Sequence, residues 1–420
     1  MLLKRIAVND VASCAATTQP LNANVLSRAS EILEDVRSQG WAAVERWASE
    51  LDRNSGSQRV WETTDFARAW AATPGATQAL LQRTADRIRQ FAFAQRAALG
   101  SVEIVQSGLR MGCDWHALQT AGCYVPGGRY PLVSSLLMTA VTARAAGVKT
   151  VWAACPAPVE VMLAAAHVAG VDGLLAVGGA QAIGAFAYGV GPVPRADVVV
   201  GPGNVWVTAA KQLVSAHVKI DLLAGPSELV VLADESGDPA CIAADLLAQA
   251  EHDQDARPIL VSMSDPLLDA VDRELEQQLT SLPTAATAAA ALRNGFAVLV
   301  PDLGTGLEVC EQLAPEHLEL HVVNADRYAE RIHRCGCLFL GPGAGEVLGD
   351  YGAGPNHVLP TGGTARFASG LSVLTFLRTQ TWLAVDDPQD AVAVADDASQ
   401  FAALEGLPGH ARSAALRRRH

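Results

Sequence analysis

Residues 148–200 read VKTVWAACPAPVEVMLAAAHVAGVDGLLAVGGAQAIGAFAYGVGPVPRADVVV. Short apolar runs at Val148 to Ala154, Gly173 to Val177 and Asp197 to Val200 alternate with Ala-rich helical patterning at Val159 to Ala169 and Ala180 to Tyr188. Strands separated by a helix rather than by a hairpin turn predict βαβ units and a parallel sheet. The series recurs after Gly225, with strands expected at Leu229 to Ala233, Pro258 to Met263, Phe296 to Pro301, Leu318 to Val323 and Cys337 to Leu340. Upstream, residues from about 22 to 100 carry charged, Ala-rich helical patterning, as in Ala29 to Leu51 and Thr77 to Leu99. Helical patterning also resumes after a long Gly-rich segment from Gly341 to Gly370. The expected class is α/β, with two units of comparable plan.

Composition narrows the function. Of 420 residues, 50% are hydrophobic and 18% charged, which excludes a disordered chain. The formal charge of −13 argues against nucleic acid or an anionic membrane as partner, because both reward clustered Lys and Arg. The basic run Arg417 to Arg419 reads as a solvated tail. The longest uncharged stretch, Gly173 to Pro194, contains Gly and Pro that would break a lipid-exposed helix, so it reads as buried core. No targeting segment is evident, and a cytoplasmic enzyme or binding protein is expected. Eight cysteines with no Cys-x-x-Cys pair predict reduced thiols rather than a disulfide scaffold.

Three segments could carry chemistry. In Asp245-Leu-Leu-Ala-Gln249-Ala-Glu251-His252, Gln249 and His252 stand three apart and share one face of a helix that starts near Pro239. Imidazole is a good zinc ligand and an amide oxygen can add a hard donor, although, taken alone, a polar helix end is the readier explanation of the pattern. In Pro315-Glu316-His317-Leu318, a histidine beside a carboxylate at a strand entrance suits general-base chemistry, or is a plain surface pair. The Gly-rich loop Gly349-Asp350-Tyr351 to Thr364 places Asp350 seven residues before His357, in a backbone able to approach a ligand closely. Gly-rich turns at Gly122 to Arg129, Val177 to Gln181, Gly201 to Asn204 and Gly225 to Glu228 follow or begin strand candidates, where α/β sheets bind ligands. Neither the dinucleotide fingerprint nor the phosphate-loop signature is present, so pattern alone names no cofactor.

Taken in order, Cys123-Tyr-Val-Pro-Gly-Gly-Arg129, Val177-Gly-Gly-Ala-Gln-Ala182, Val200-Gly-Pro-Gly-Asn204, Ala224-Gly-Pro-Ser-Glu228, Gln249-Ala-Glu-His252, Pro315-Glu-His-Leu318, Gly349-Asp-Tyr351, Gly354 to Leu371 and Glu405-Gly-Leu-Pro-Gly-His410 resemble the histidinol dehydrogenase family. Gly40 to Arg46 and Leu51-Asp52 are fainter echoes. The resemblance implies two Rossmann-like parallel-sheet domains: residues 21–122 with 229–369 carrying zinc and catalytic residues, and 123–228 binding NAD. A short segment 1–20 and a C-terminal helical segment 370–420, reaching the partner subunit, complete the expected division.

The resemblance also implies roles. Zinc would be held by Gln249, His252, Asp350 and His410, the last supplied by the other subunit of a homodimer. Substrate would meet Ser227, Gln249, His252, His317, Asp350, His357, Glu405 and His410, and NAD would meet Tyr124, Gln181 and Asn204. L-histidinol would be oxidised by two NAD through the aldehyde to L-histidine, with His317 taking the hydroxyl proton and Glu316 activating water. Two features depart from the family pattern: Asp253 stands where many relatives have Gly, and Gly343-Ala-Gly-Glu346 precedes Asp350 where a Ser-Pro turn is common. The competing readings are a dehydrogenase of the same fold acting on another small amino or sulfonated alcohol, and a zinc hydrolase using Glu316 and His317.

Overall fold

A computed structural model describes residues 2–14, 21–52, 58–127 and 131–419. Gly128 and Arg129 of the first family block lie outside the described residues, as does most of the end of segment 1–20. Two six-stranded sheets form the body. The first runs Lys4–Ile6, Phe296–Leu299, Arg257–Ser262, Glu228–Ala233, His317–His321 and Cys337–Leu340, with every neighbouring pair parallel. The second runs Val60–Glu62, Gly173–Leu175, Thr150–Ala154, Thr120–Tyr124, Val198–Val200 and Lys219–Ile220, parallel except at Val60–Glu62. Most of the inner strands are near-continuously apolar because helices cover both faces; His317–His321, which alternates polar and apolar residues, is an exception.

Each sheet reverses its winding once. In the second the reversal falls between Thr120–Tyr124 and Val198–Val200, and in the first between Glu228–Ala233 and His317–His321. Helix Pro239–His252 packs over the face of the first sheet bearing Leu229, Val231 and Ala233, through Ile242, Ala243, Leu246 and Ala250. Its start is set by the Asp238 side chain, which accepts from Ala240 N, and by Pro239 in the first turn.

The helical N-terminal region groups differently from the expected division. Helix Ala23–Gln39 packs on helices Gly179–Tyr188 and Val205–Val214, helix Thr63–Ala72 on Glu160–Ala169, and helix Gly75–Ala97 on Val133–Ala146. Ile32, Leu33 and Val36 share a core with Ile183 and Phe186, and Leu81 and Ile88 share one with Leu137 and Met138. Helices Ala23–Gln39, Thr63–Ala72 and Gly75–Ala97 therefore cover the second sheet rather than the first, although Arg87 also donates to Gly352 O. Lys4–Ile6, expected to be part of a separate terminal segment, is the edge strand of the first sheet. Residues 370–420 are not wholly helical either. Leu377–Val385 is a strand, paired antiparallel with Leu109–Ala117, which in turn pairs with Val102–Gln106. Its Arg-Thr-Gln-Thr-Trp sequence is rich in residues that suit a half-exposed pleated surface.

Candidate functional site

The helix spacing of three and the strand spacing of two bring the sequence candidates together. His252 ends helix Pro239–His252, and His317 opens strand His317–His321, whose neighbour in register is Leu229. The loop after Cys337–Leu340 returns over the same edge through the short helix Glu346–Asp350. There His252 Nε2 lies 3.1 Å from Asp350 Oδ2, and His317 Nε2 lies 3.8 Å from Asp350 Oδ1. His357 Nδ1 is 3.0 Å from the Asp350 carbonyl, and its Nε2 is 3.2 Å from Ser135 Oγ on the helix layer of the second sheet. Ser227 donates to Glu316 Oε2, which also accepts from Glu228 N at 3.0 Å.

Backbone carbonyls fix the imidazole tautomers. His252 Nδ1 faces Ala248 O at 3.0 Å, and His317 Nδ1 faces Glu228 O at 3.3 Å. A carbonyl can only accept, so each Nδ1 carries hydrogen and each Nε2 is directed at Asp350. The environment then separates the titrations. Burial pushes His317 down to about 4, leaving it neutral, and pushes Glu316 up to about 8 despite the hydrogen bond from Ser227. Burial also opposes the charge on His252, but the Asp350 carboxylate outweighs it and raises the group to about 9. Asp350 is held below its ordinary value because the surrounding imidazoles offset its burial.

This donor set suits a divalent metal. His252, Glu346 and Asp350 each offer one atom within 4.8 Å of the others. Gln249 is fully buried, and neither its Oε1 nor its Nε2 has a hydrogen-bond partner. An amide left unpaired at that depth costs roughly 1–3 kcal/mol, which a metal bond to Oε1 would offset. Glu346, singled out in the sequence only as part of an atypical turn, is buried beside the cluster. Its Oε1 lies 3.9 Å from His317 Nδ1 and 4.0 Å from His252 Nδ1. No motif marked it.

The remaining candidates separate into two places. Tyr124 ends the central strand Thr120–Tyr124, and its hydroxyl accepts from Gly179 N at 3.1 Å. Gln181, in the first turn of helix Gly179–Tyr188, is buried with Oε1 unpaired and Nε2 at 3.4 Å from Asp52 Oδ1. Asp52 also accepts from Gly178 N at 3.1 Å, a role its faint sequence echo did not disclose. Asn204 caps helix Val205–Val214, with Oδ1 accepting from Trp206 N and Val207 N. Gly201, at φ +112°, is required just before it, since a Cβ there would fall 2.1 Å from Tyr124 O. All three sit at the carboxyl ends of strands beside the switch point of the second sheet, a common place for a nucleotide. Glu405 and His410 do not join the metal cluster. They lie on the exposed helical pair Val392–Leu404 and Pro408–Leu416, which buries Ala402 alone.

The family model described as histidinol dehydrogenase matches residues 16–418. The histidinol dehydrogenase of Thermus thermophilus is 44% identical over 391 residues, covering 92% of this chain and 93% of that protein. That of Methylococcus capsulatus is 41% identical over 414 residues, covering 96% and 94%. A crystal structure of histidinol dehydrogenase from Elizabethkingia anophelis matches with a TM-score of 0.93 at 29% identity, over 99% of this chain and 98% of that one. With the fold, the ordered motifs and the length all in agreement, the chain belongs to the histidinol dehydrogenase family.

Proposed function

We propose that the chain oxidises L-histidinol to L-histidine through the aldehyde, using two NAD, at a zinc site completed by a second copy of itself. The observation that carries the reading is the convergence of His252, Asp350, Glu316 and His317, with Gln249 one turn back on the His252 helix, on one edge of the first sheet. Gln249, His252 and Asp350 would hold zinc, together with His410 of the partner subunit. When bound, zinc acts as a Lewis acid that anchors the substrate and polarises its oxygen. NAD, when bound near Tyr124, Gln181 and Asn204, accepts hydride.

The chain's own residues then divide the proton work. His317 is neutral at physiological pH, and its Nδ1–H is held by the Glu228 carbonyl, so Nε2 is the atom that takes the hydroxyl proton as hydride leaves. Glu316 takes the proton of the water that adds to the aldehyde. It must first be ionised, and the hydrogen bonds from Ser227 and Glu228 N favour that form. Ser227, His357 and Glu405 would orient the polar ends of the substrate.

A homodimer is supported by the C-terminal helices. Phe401 is 67% exposed and Leu404 82%, and Leu407 and Leu416 are also exposed. Apolar residues displayed on a helical pair with almost no buried face of its own suit a partner's surface. Among the described residues no helix is long and apolar enough to cross a membrane. The test is NADH formation from L-histidinol and from a panel of other amino alcohols, each with a chelator control. Turnover restricted to another alcohol would refute the substrate assignment, and turnover that persists after complete metal removal would refute the zinc.

A further inference from the structure

Helix Pro239–His252 and strand His317–His321 face each other along more than the site described above. Asp245, Gln249 and His252, spaced by four and three, form one column on the helix, while His317, Glu319 and His321, spaced by two, share one face of the strand. One rung inward from His252 and His317, the columns bring together Asp245, Glu319 and His321, whose donor atoms lie within 4.8 Å of one another. His321 Nε2 is 3.3 Å from Glu319 Oε2 and 3.8 Å from Asp245 Oδ2. Glu319 and His321 are buried, yet Glu319 Oε2 and both His321 ring nitrogens have no hydrogen-bond partner.

The shorter of those separations matches a coordination edge, and the longer lies just beyond one. Ligands bound tetrahedrally at about 2.0–2.2 Å stand roughly 3.3–3.6 Å apart. Charge points the same way. Asp245 and Glu319 are two carboxylates in a space where, among the described residues, only His321 forms an ion pair with them. Buried carboxylates without a cation are expensive. The site is also built into the frame: Glu319 Oε1 accepts from Glu346 N at 2.6 Å, and Gly345 lets the backbone close over both carboxylates.

We propose that Asp245, Glu319 and His321 form a second site for a divalent transition-metal ion of the zinc type, separate from the site of Gln249, His252 and Asp350. One imidazole with two carboxylates is a donor set that suits zinc, and a fourth position would fall to water. Held there, the ion would pin Glu319, and through Glu346 N the short helix that carries Asp350. Its role is structural.

The experiment counts metal in the full-length chain, loaded with zinc, freed of loosely held ions by gel filtration and measured by plasma mass spectrometry. The wild-type chain should hold about one equivalent more than His321→Gln, and His252→Ala should retain about one that the added His321→Gln change removes. Equal zinc in wild type and His321→Gln overturns the proposal. Should His321→Gln fail to fold by circular dichroism, His252→Ala decides alone: zinc reduced to about half the wild-type content supports the second site, and a metal-free chain or an unchanged content refutes it. The catalytic reading is tested separately, since it fails when His252→Ala holds as much zinc as wild type.

Discussion

His317 and Glu316 are adjacent in sequence, yet their environments push their titrations in opposite directions. In a strand neighbouring side chains point to opposite faces, which would let the two proposed proton acceptors serve two steps instead of competing for one. His317→Asn should lower turnover by on the order of a hundredfold or more, the usual scale of general-base catalysis, read from steady-state NADH formation. Glu316→Gln should slow oxidation of the aldehyde more than oxidation of the alcohol; equal slowing of both would remove the division of labour. The pH profile gives the sign. Glu316 is raised, so it is protonated and idle at low pH and gains its proton-accepting form as pH rises. Aldehyde oxidation should therefore climb to a plateau with a midpoint at or below about 8, since a bound cation favours the carboxylate, and Glu316→Gln should flatten that climb.

Most of these residues were legible from local chemistry. Gln249 and His252 share a helix face three apart, and Glu316 with His317 sets a carboxylate beside an imidazole at a strand entrance. Glu346 and Asp52 were not legible in that way. Each acts through a contact made across the fold, Glu346 with His252 and His317, Asp52 with Gly178 and Gln181, and no local spacing announces such a partner.

At the scale of elements, one buried ion pair secures the turn before Asn204. Lys211 and Asp221 are almost fully buried and paired; Asp221 Oδ2 accepts from Gly201 N at 2.7 Å, and Lys211 Nζ donates to Gly201 O at 3.1 Å. Lys211→Met leaves Asp221 buried without its cation and should cost about 3–5 kcal/mol, measured by denaturant unfolding. A cost below about 1 kcal/mol would mean that the pair does not hold the turn. The parallel strands named from the sequence were readable as short apolar runs punctuated by Gly or Pro; Lys4–Ile6, Thr120–Tyr124 and Lys219–Ile220, also parallel, were not named. Strands Leu109–Ala117 and Leu377–Val385 were not readable, because they pair across more than 250 residues of chain and neither has the apolar run of a buried strand. The grouping of helices 23–97 was missed for a related reason. Amphipathic periodicity shows that a helix has an apolar face, and Ile32 or Leu81 finds its particular sheet only through tertiary packing.

At the scale of the whole molecule, the two halves meet edge to opposite edge. The proposed NAD positions follow the carboxyl ends of strands in the second sheet, whereas Ser227, Glu316 and His317 stand at the amino ends of strands in the first. The Gly-rich loop joins them, with His357 reaching Ser135 and Asn356 donating to Met138 O at 2.9 Å. The usual rule for open α/β sheets describes one half and not the other. The proposed sharing of the site with a second copy makes a distinct demand. His252→Ala and His410→Ala should each lose the zinc of the Gln249–His252–Asp350 site and the activity as pure homodimers, and subunits exchanged between the two should recover part of the activity, because mixed dimers contain one intact site. No recovery after exchange would place all ligands within one chain.

The most direct measurement is the amount of NADH formed for each L-histidinol consumed by the zinc-loaded protein, with the product identified by chromatography. Two NADH and L-histidine are expected. One NADH with the aldehyde as the final product, or none, would contradict the four-electron oxidation assigned to this chain.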